Sequence, residues 1–231
     1  MINFSLPRVL IIGTAALGLA ISAQADPYVI TGGTTSVALD TEIVATVAGL
    51  TLVGADDTVA PYSMDYDVGF GATGATNFTF ASDLSLIGGS IEHLGTLTFS
   101  DVASELHTVG NFSIRYDASR ETDLLSGLYL VDTYGGLGTL FDLGVFDLPL
   151  VNGSSVVAGP TILYIAPELG AALLENEFTT EDPTGVAVGS ALFAGTVRVS
   201  NAVPDAASYG ITGLALFGFA CAARLRRRLA A

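Results

Sequence analysis

Met64-Asp-Tyr-Asp-Val-Gly-Phe70 is the stretch whose reading decides the fold class. Met64, Tyr66, Val68 and Phe70 alternate with Asp65, Asp67 and Gly69. Successive side chains on a strand point to opposite faces, so this period of two predicts a sheet with one apolar face and one wet face carrying the acids.

Outward from this stretch the same signal continues in both directions. On the N-terminal side, Tyr28–Thr31 and Ser36–Leu39 flank Gly32-Gly33, and Ile43–Leu52 is rich in Val, Thr and Leu, as strands are. Downstream, strands are expected at Asn77–Phe80, Ile91–Phe99, Asn111–Tyr116, Gly127–Tyr134, Thr139–Val145, Thr161–Ile165 and within Gly185–Val199. Turn-rich pieces such as Ile87-Gly-Gly-Ser90 and Asp117-Ala-Ser119 separate them. A single short helix is predicted from Pro167, with Pro at the first helical position, Glu168 in the first turn, and Leu169 and Leu173 on one face. The pattern predicts an all-β fold, an antiparallel β-sandwich of jelly-roll or Greek-key kind with one short helix.

Both ends of the chain differ from this body. Arg8 precedes an apolar segment from Val9 to Ile21, and Ala23-Gln24-Ala25 places small residues in a small-x-small cleavage pattern, so residues 1–25 read as a secretory signal peptide cut after Ala25. At the other end, Ala206 to Ala223 carries no charged side chain and is just long enough, at ~1.5 Å per residue, to cross a bilayer core. Arg224, Arg226, Arg227 and Arg228 follow it, and the positive-inside bias places them in the cytoplasm and everything before the span outside. Residues 26–202 are then one exported domain, and residues 203–231 a separate C-terminal unit.

That unit has three parts in fixed order: Val203-Pro204-Asp205 with Ser208, the span, and the arginine cluster. It resembles the PEP-CTERM class of bacterial sorting tails, and within it the VPDSG variant, with Ala206-Ala207 where Ser-Gly would stand. The resemblance implies recognition by an exosortase-like membrane enzyme, an inner-membrane intermediate held by the C-terminal helix, and delivery to the cell surface or extracellular matrix. It assigns no activity to the body.

Charge narrows the partners. The 231-residue chain has 23 Asp and Glu against 8 Lys and Arg. All of the acids but Asp205 lie in residues 26–202, where Arg115, Arg120 and Arg198 are the basic residues. A field of that sign repels phosphate, which excludes nucleic acid as a partner, and it favours cations. The one cysteine, Cys221, lies in the predicted span, so the body folds without a disulfide.

The residues give no catalytic constellation. Neither His93 nor His107 has metal-ligand spacing to another His or Cys, and no Gly-x-Ser-x-Gly elbow is present. His93 beside Glu92 reads as a surface pair. No cofactor is expected; calcium is the ion that the acids favour, with candidate ligands in Asp56-Asp57, Asp65-x-Asp67 and Glu181-Asp182. The function these observations predict is that of a non-enzymatic structural or adhesive surface protein. A second reading is a protein that binds or cleaves extracellular polysaccharide, with Tyr28, Tyr62, Tyr66, Tyr116, Tyr129 and Tyr134 as stacking platforms and a pair of carboxylates for hydrolysis.

Overall fold

The computed structural model describes residues 26–147 and 149–200. The expected signal peptide with Ala23 and Ala25, the expected sorting motif Val203, Pro204, Asp205 and Ser208, the expected span 206–223 and the terminal arginines Arg224, Arg226, Arg227 and Arg228 lie outside the described residues. Among the described residues no helix is long and apolar enough to cross a membrane.

The chain begins with β1 (Tyr28–Leu39), α1 (Thr41–Ala48), β2 (Thr51–Asp56), β3 (Val68–Gly71) and β4 (Thr79–Phe80). Short strands β5 (Leu86–Gly88) and β6 (Ser90–Glu92) lead to β7 (Thr96–Ser100), β8 (Leu106–Gly110), β9 (Ser113–Glu121), β10 (Leu125–Asp132) and β11 (Gly138–Gly144). The body closes with β12 (Leu150–Asn152), β13 (Ser155–Ile165), α2 (Pro167–Glu175) and β14 (Ala187–Val199).

Two antiparallel sheets form a barrel-like arrangement. The larger has the order β5-β4-β1-β14-β13-β11-β10-β9-β6, with β3 on β1 and β12 on β13. From β9 to β14 the neighbours follow chain order, an up-and-down run in place of the jelly-roll or Greek-key order expected, and the first long strand pairs with the last. The sheet's two outermost strands, β5 and β6, are joined by Gly89 alone. Residues between β3 and β4 bridge the remaining gap: Ala72 N–H donates to Gly33 O on one side, and Thr73 and Asn77 N–H donate to Glu92 and Ser90 on the other. Ile30, Phe78, Phe80, Ile114, Leu128, Val156 and Phe193 fill the interior, each under a tenth exposed, around a residual cavity of about 50 Å³.

The smaller sheet, β2-β7-β8, lies apart from this ladder. Thr-Leu-Thr-Phe-Ser of β7 alternates as a one-sided strand should, with Leu97 and Phe99 buried and the hydroxyl residues outward.

Two expectations change here. Among the described residues there are two helices where one was expected, because the Ile43–Leu52 segment splits into α1 and β2. Asp40 caps α1, its Oδ1 accepting from Ile43 N–H at 3.0 Å, and Gly49 ends it with φ 65°. Those local signals outweigh the β-branched composition. The expected alternation of wet and apolar faces across Met64–Phe70 is not found: Val68, Gly69 and Phe70 are all buried in β3, Gly69 lying against the Val59 and Ala60 carbonyls, whereas Met64 is fully exposed. Ser63 Oγ donates to Asp65 Oδ2 and accepts from Asp65 N–H, and Tyr66 N–H donates to Ser63 O. Such side-chain bonds offer the backbone a turn instead of a ladder.

Candidate functional site

β1 enters the barrel at Tyr28, paired with Val199, and Ser200 N–H donates to Pro27 O at 2.8 Å. The two ends of the body therefore sit side by side at one end of the barrel. Twelve residues later, about 40 Å away at ~3.3 Å per residue, β1 gives way to α1, β13 gives way to α2, and β14 begins. α1, α2 and the three-stranded sheet thus cover the end opposite Tyr28 and Val199.

Under this cover is a second apolar cavity of about 70 Å³. Val44, Leu50, Phe99, Leu140 and Leu173 line it, and His107 is the one polar residue in its wall. A cavity of ~150 Å³ accommodates benzene, so the space as shaped is too small for a sugar ring or an aromatic ligand. α2 is tied down over it by an ion network: Arg120 Nε donates to Asp142 Oδ1 at 2.7 Å, and its two terminal nitrogens donate to the Glu168 carboxylate at 2.8 and 3.0 Å. The guanidinium also lies 5.0 Å from the centre of the Tyr129 ring. Arg120 holds the Glu168 carboxyl below its usual range.

At the rim of this covered end, β7 and β8 are joined by a tight turn. Asp101 Oδ1 accepts from Ala103 N–H at 2.9 Å and Glu105 N–H at 2.8 Å, which fixes the carboxylate within the turn. Its Oδ2 accepts from His107 Nε2 at 3.0 Å. Foremost among the causes, that contact lowers the Asp101 pKa, with the two turn amides adding to it. The His107 ring packs edge-on against Phe178, centres 5.0 Å apart. Ligand atoms of Asp101, Glu105 and His107 all lie within 4.8 Å of one another, and this is the one such group of three among the described residues. His107 has no second His or Cys at metal-ligand spacing in the sequence; the signal its stretch carries is Asp-x3-Glu-x-His across a turn between two paired strands.

None of the expected calcium pairs forms a cluster of this kind. Asp56 and Asp57 sit at the end of β2, with Asp57 at φ 54°. Asp65 is bonded to Ser63, and Asp182 Oδ1 accepts from Thr184 N–H at 3.0 Å. Asp67 and Glu181 lie on exposed turns. Of the tyrosines, Tyr62 and Tyr134 are well exposed, and Tyr28, Tyr66, Tyr116 and Tyr129 are half-buried.

His93 is not a surface pair with Glu92. It is 3% exposed, inside the barrel. Nδ1 lies 3.0 Å from Phe112 O, which can only accept, so Nδ1 carries the proton and Nε2 accepts from Thr35 Oγ1 at 2.7 Å. A hydroxyl on an imidazole has the outline of a nucleophile and its base. Here the group behind the imidazole is a carbonyl, and Thr35 is also 3% exposed, beyond the reach of a substrate.

Asp132 is the other buried acid with an organising role. Its Oδ1 accepts from Gly110, Tyr134 and Gly135 N–H and its Oδ2 from Leu137 N–H, at 2.8 to 3.1 Å. It ties the β10–β11 turn to the end of β8.

No protein-family model matches the chain, and no curated protein matches it in sequence. Among solved structures, the C-terminal domain of HtaA from Corynebacterium glutamicum is similar over 74% of this chain and 99% of that one, with a TM-score of 0.49 and 12% identity.

Proposed function

We propose that this chain is an exported, non-enzymatic β-domain of the cell surface or extracellular matrix, with a structural or adhesive role, sorted through its C-terminal tail by an exosortase-type enzyme. The observation that supports this best is the polarity of the body. Its N- and C-terminal residues leave from one end, while the helices, the small sheet and the Asp101–His107 rim occupy the other. A tail joined directly after Ser200 presents that far end outward, whether the tail stays in the membrane or is replaced by a surface attachment.

Intact-mass spectrometry of the protein from its native host, with and without the exosortase, tests the reading. The expected product begins at Asp26 and lacks the span and arginines only when the enzyme is present. An unprocessed C-terminus in both strains refutes sorting and leaves a tail-anchored protein.

A further inference from the structure

Asp101, Glu105 and His107 offer one imidazole nitrogen and two carboxylates, and we propose that they form a binding site for a divalent transition cation of the zinc or cobalt type. The inference stands on the geometry of the β7–β8 turn and is independent of how the chain is sorted.

The distances carry it. Around a metal with bonds of ~2.1 Å, neighbouring donor atoms are separated by about 3.0 Å in an octahedron and about 3.4 Å in a tetrahedron. Asp101 Oδ2 and His107 Nε2 are 3.0 Å apart. A cation can take the place of the shared proton once the imidazole and the carboxylate turn to aim their lone pairs at it, the imidazole carrying its proton on Nδ1 instead. The third donor lies within 4.8 Å and belongs to Glu105, an exposed side chain that can swing inward.

Two of the three donors are also held by groups that a cation would leave in place. Asp101 Oδ1 is bonded to the Ala103 and Glu105 amides, which leaves Oδ2 aimed at the site. Phe178 fixes the His107 ring edge-on. This is how outer groups orient metal ligands. Among the described residues no arginine pairs with any of the three; the ion pairs found are His107 with Asp101 and Arg120 with Asp142 and Glu168. The local charge is therefore available to a cation. An imidazole donor selects borderline metals over calcium, which takes oxygen ligands. Three protein donors leave coordination positions for water or for a donor from another molecule, and the site faces solvent at the end of the body away from its termini.

Isothermal titration of the metal-stripped full-length protein with Zn²⁺ is the test, with Co²⁺ visible absorption as a second probe. The expected result is one saturable Zn²⁺ equivalent per chain, not displaced by millimolar Ca²⁺, and weakened about tenfold or more by Glu105→Gln and by His107→Gln. Glu105 is exposed, so its variant keeps the fold and answers the question even if the His107 variant does not. Zn²⁺ held equally well by Glu105→Gln would show adsorption to scattered surface acids, and absence of a saturable equivalent would show that the turn holds its carboxylates for structure only; either overturns the proposal.

Discussion

Acidification from pH 7.5 to pH 5 should destabilise the body by way of His93. The neutral imidazole is enclosed in the barrel, donating from Nδ1 to Phe112 O and accepting at Nε2 from Thr35. Burial lowers its pKa from 6.5 to about 4, with the Phe112 carbonyl and the Glu92 charge opposing that shift. The unfolded chain thus takes up a proton near pH 6.5 and the folded chain only near pH 4. Because the folded value is depressed, the contribution is complete above pH 6.5 and is lost as the pH falls towards 4. The linkage relation gives a loss of about 2 kcal/mol by pH 5 and about 3 kcal/mol by pH 4. Urea unfolding followed by tyrosine fluorescence at several pH values between 7.5 and 5 measures it, since the chain has no tryptophan to mask the signal. His93→Asn keeps a donor near the Phe112 carbonyl but cannot take up a proton there. It should be less stable at pH 7.5 and show a slope flatter by about 2 kcal/mol over this range. A wild-type loss under ~0.5 kcal/mol, or an unchanged slope in the Asn variant, refutes the reasoning.

Three further perturbations test the framework. Arg120→Ala leaves the Asp142 carboxylate, 5% exposed, without its cation; urea unfolding should show a loss of about 3 kcal/mol, and hydrogen exchange should show α2 losing protection first. Asp132→Asn retains the three amides bonded to Oδ1 if its oxygen keeps that place, but turns an N–H group towards Leu137 N–H. The expected cost is about 1–3 kcal/mol, read as a lowered thermal midpoint, and Asp132→Ala, which strands all four donors, should cost more. Gly49→Ala places a Cβ 2.6 Å from Phe178 O at a residue with φ 65°. Thermal unfolding should register a loss of at least ~1–2 kcal/mol, whereas Asp40→Ala at the other end of α1 should cost about 1 kcal/mol.

The predominance of strands was legible, and so was α2, whose Pro167 start and Leu169/Leu173 spacing both appear in the structure; the single strand expected at Ile91–Phe99 is instead split at His93–Gly95 into β6 and β7, which belong to different sheets. α1 was also present in the sequence, in Asp40 and Gly49 bracketing eight residues. Val44, Thr46 and Val47 inside it carry the composition of a strand, and the two caps outweigh them. Met64 alternated correctly with its neighbours yet faces solvent, since a hydroxyl two residues from an acid built a turn that periodicity does not register.

The site was less legible than the fold. Asp101, Glu105 and His107 are close in sequence, but only a turn followed by antiparallel pairing of Phe99 with His107 brings the imidazole back to Asp101. The calcium pairs show the reverse case, acids adjacent in the chain whose ligand atoms join no third donor. His93 is the clearest instance: next to Glu92 it read as a surface residue, and its environment came from Thr35 and Phe112, far away in the chain.

By itself the sequence determined the composition of the body, its strong negative charge, its predominantly β character and the three-part pattern of its C-terminal residues, because periodicity and charge are local or additive properties. The tertiary structure alone decided that β1 pairs with β14, that both body termini share one end, that His93 is sealed inside and that Arg120 locks α2 over the apolar cavity. Those are contacts between residues distant in the chain, set by which strands share a ladder and how the sheet curls, and neither is written in any single stretch of it.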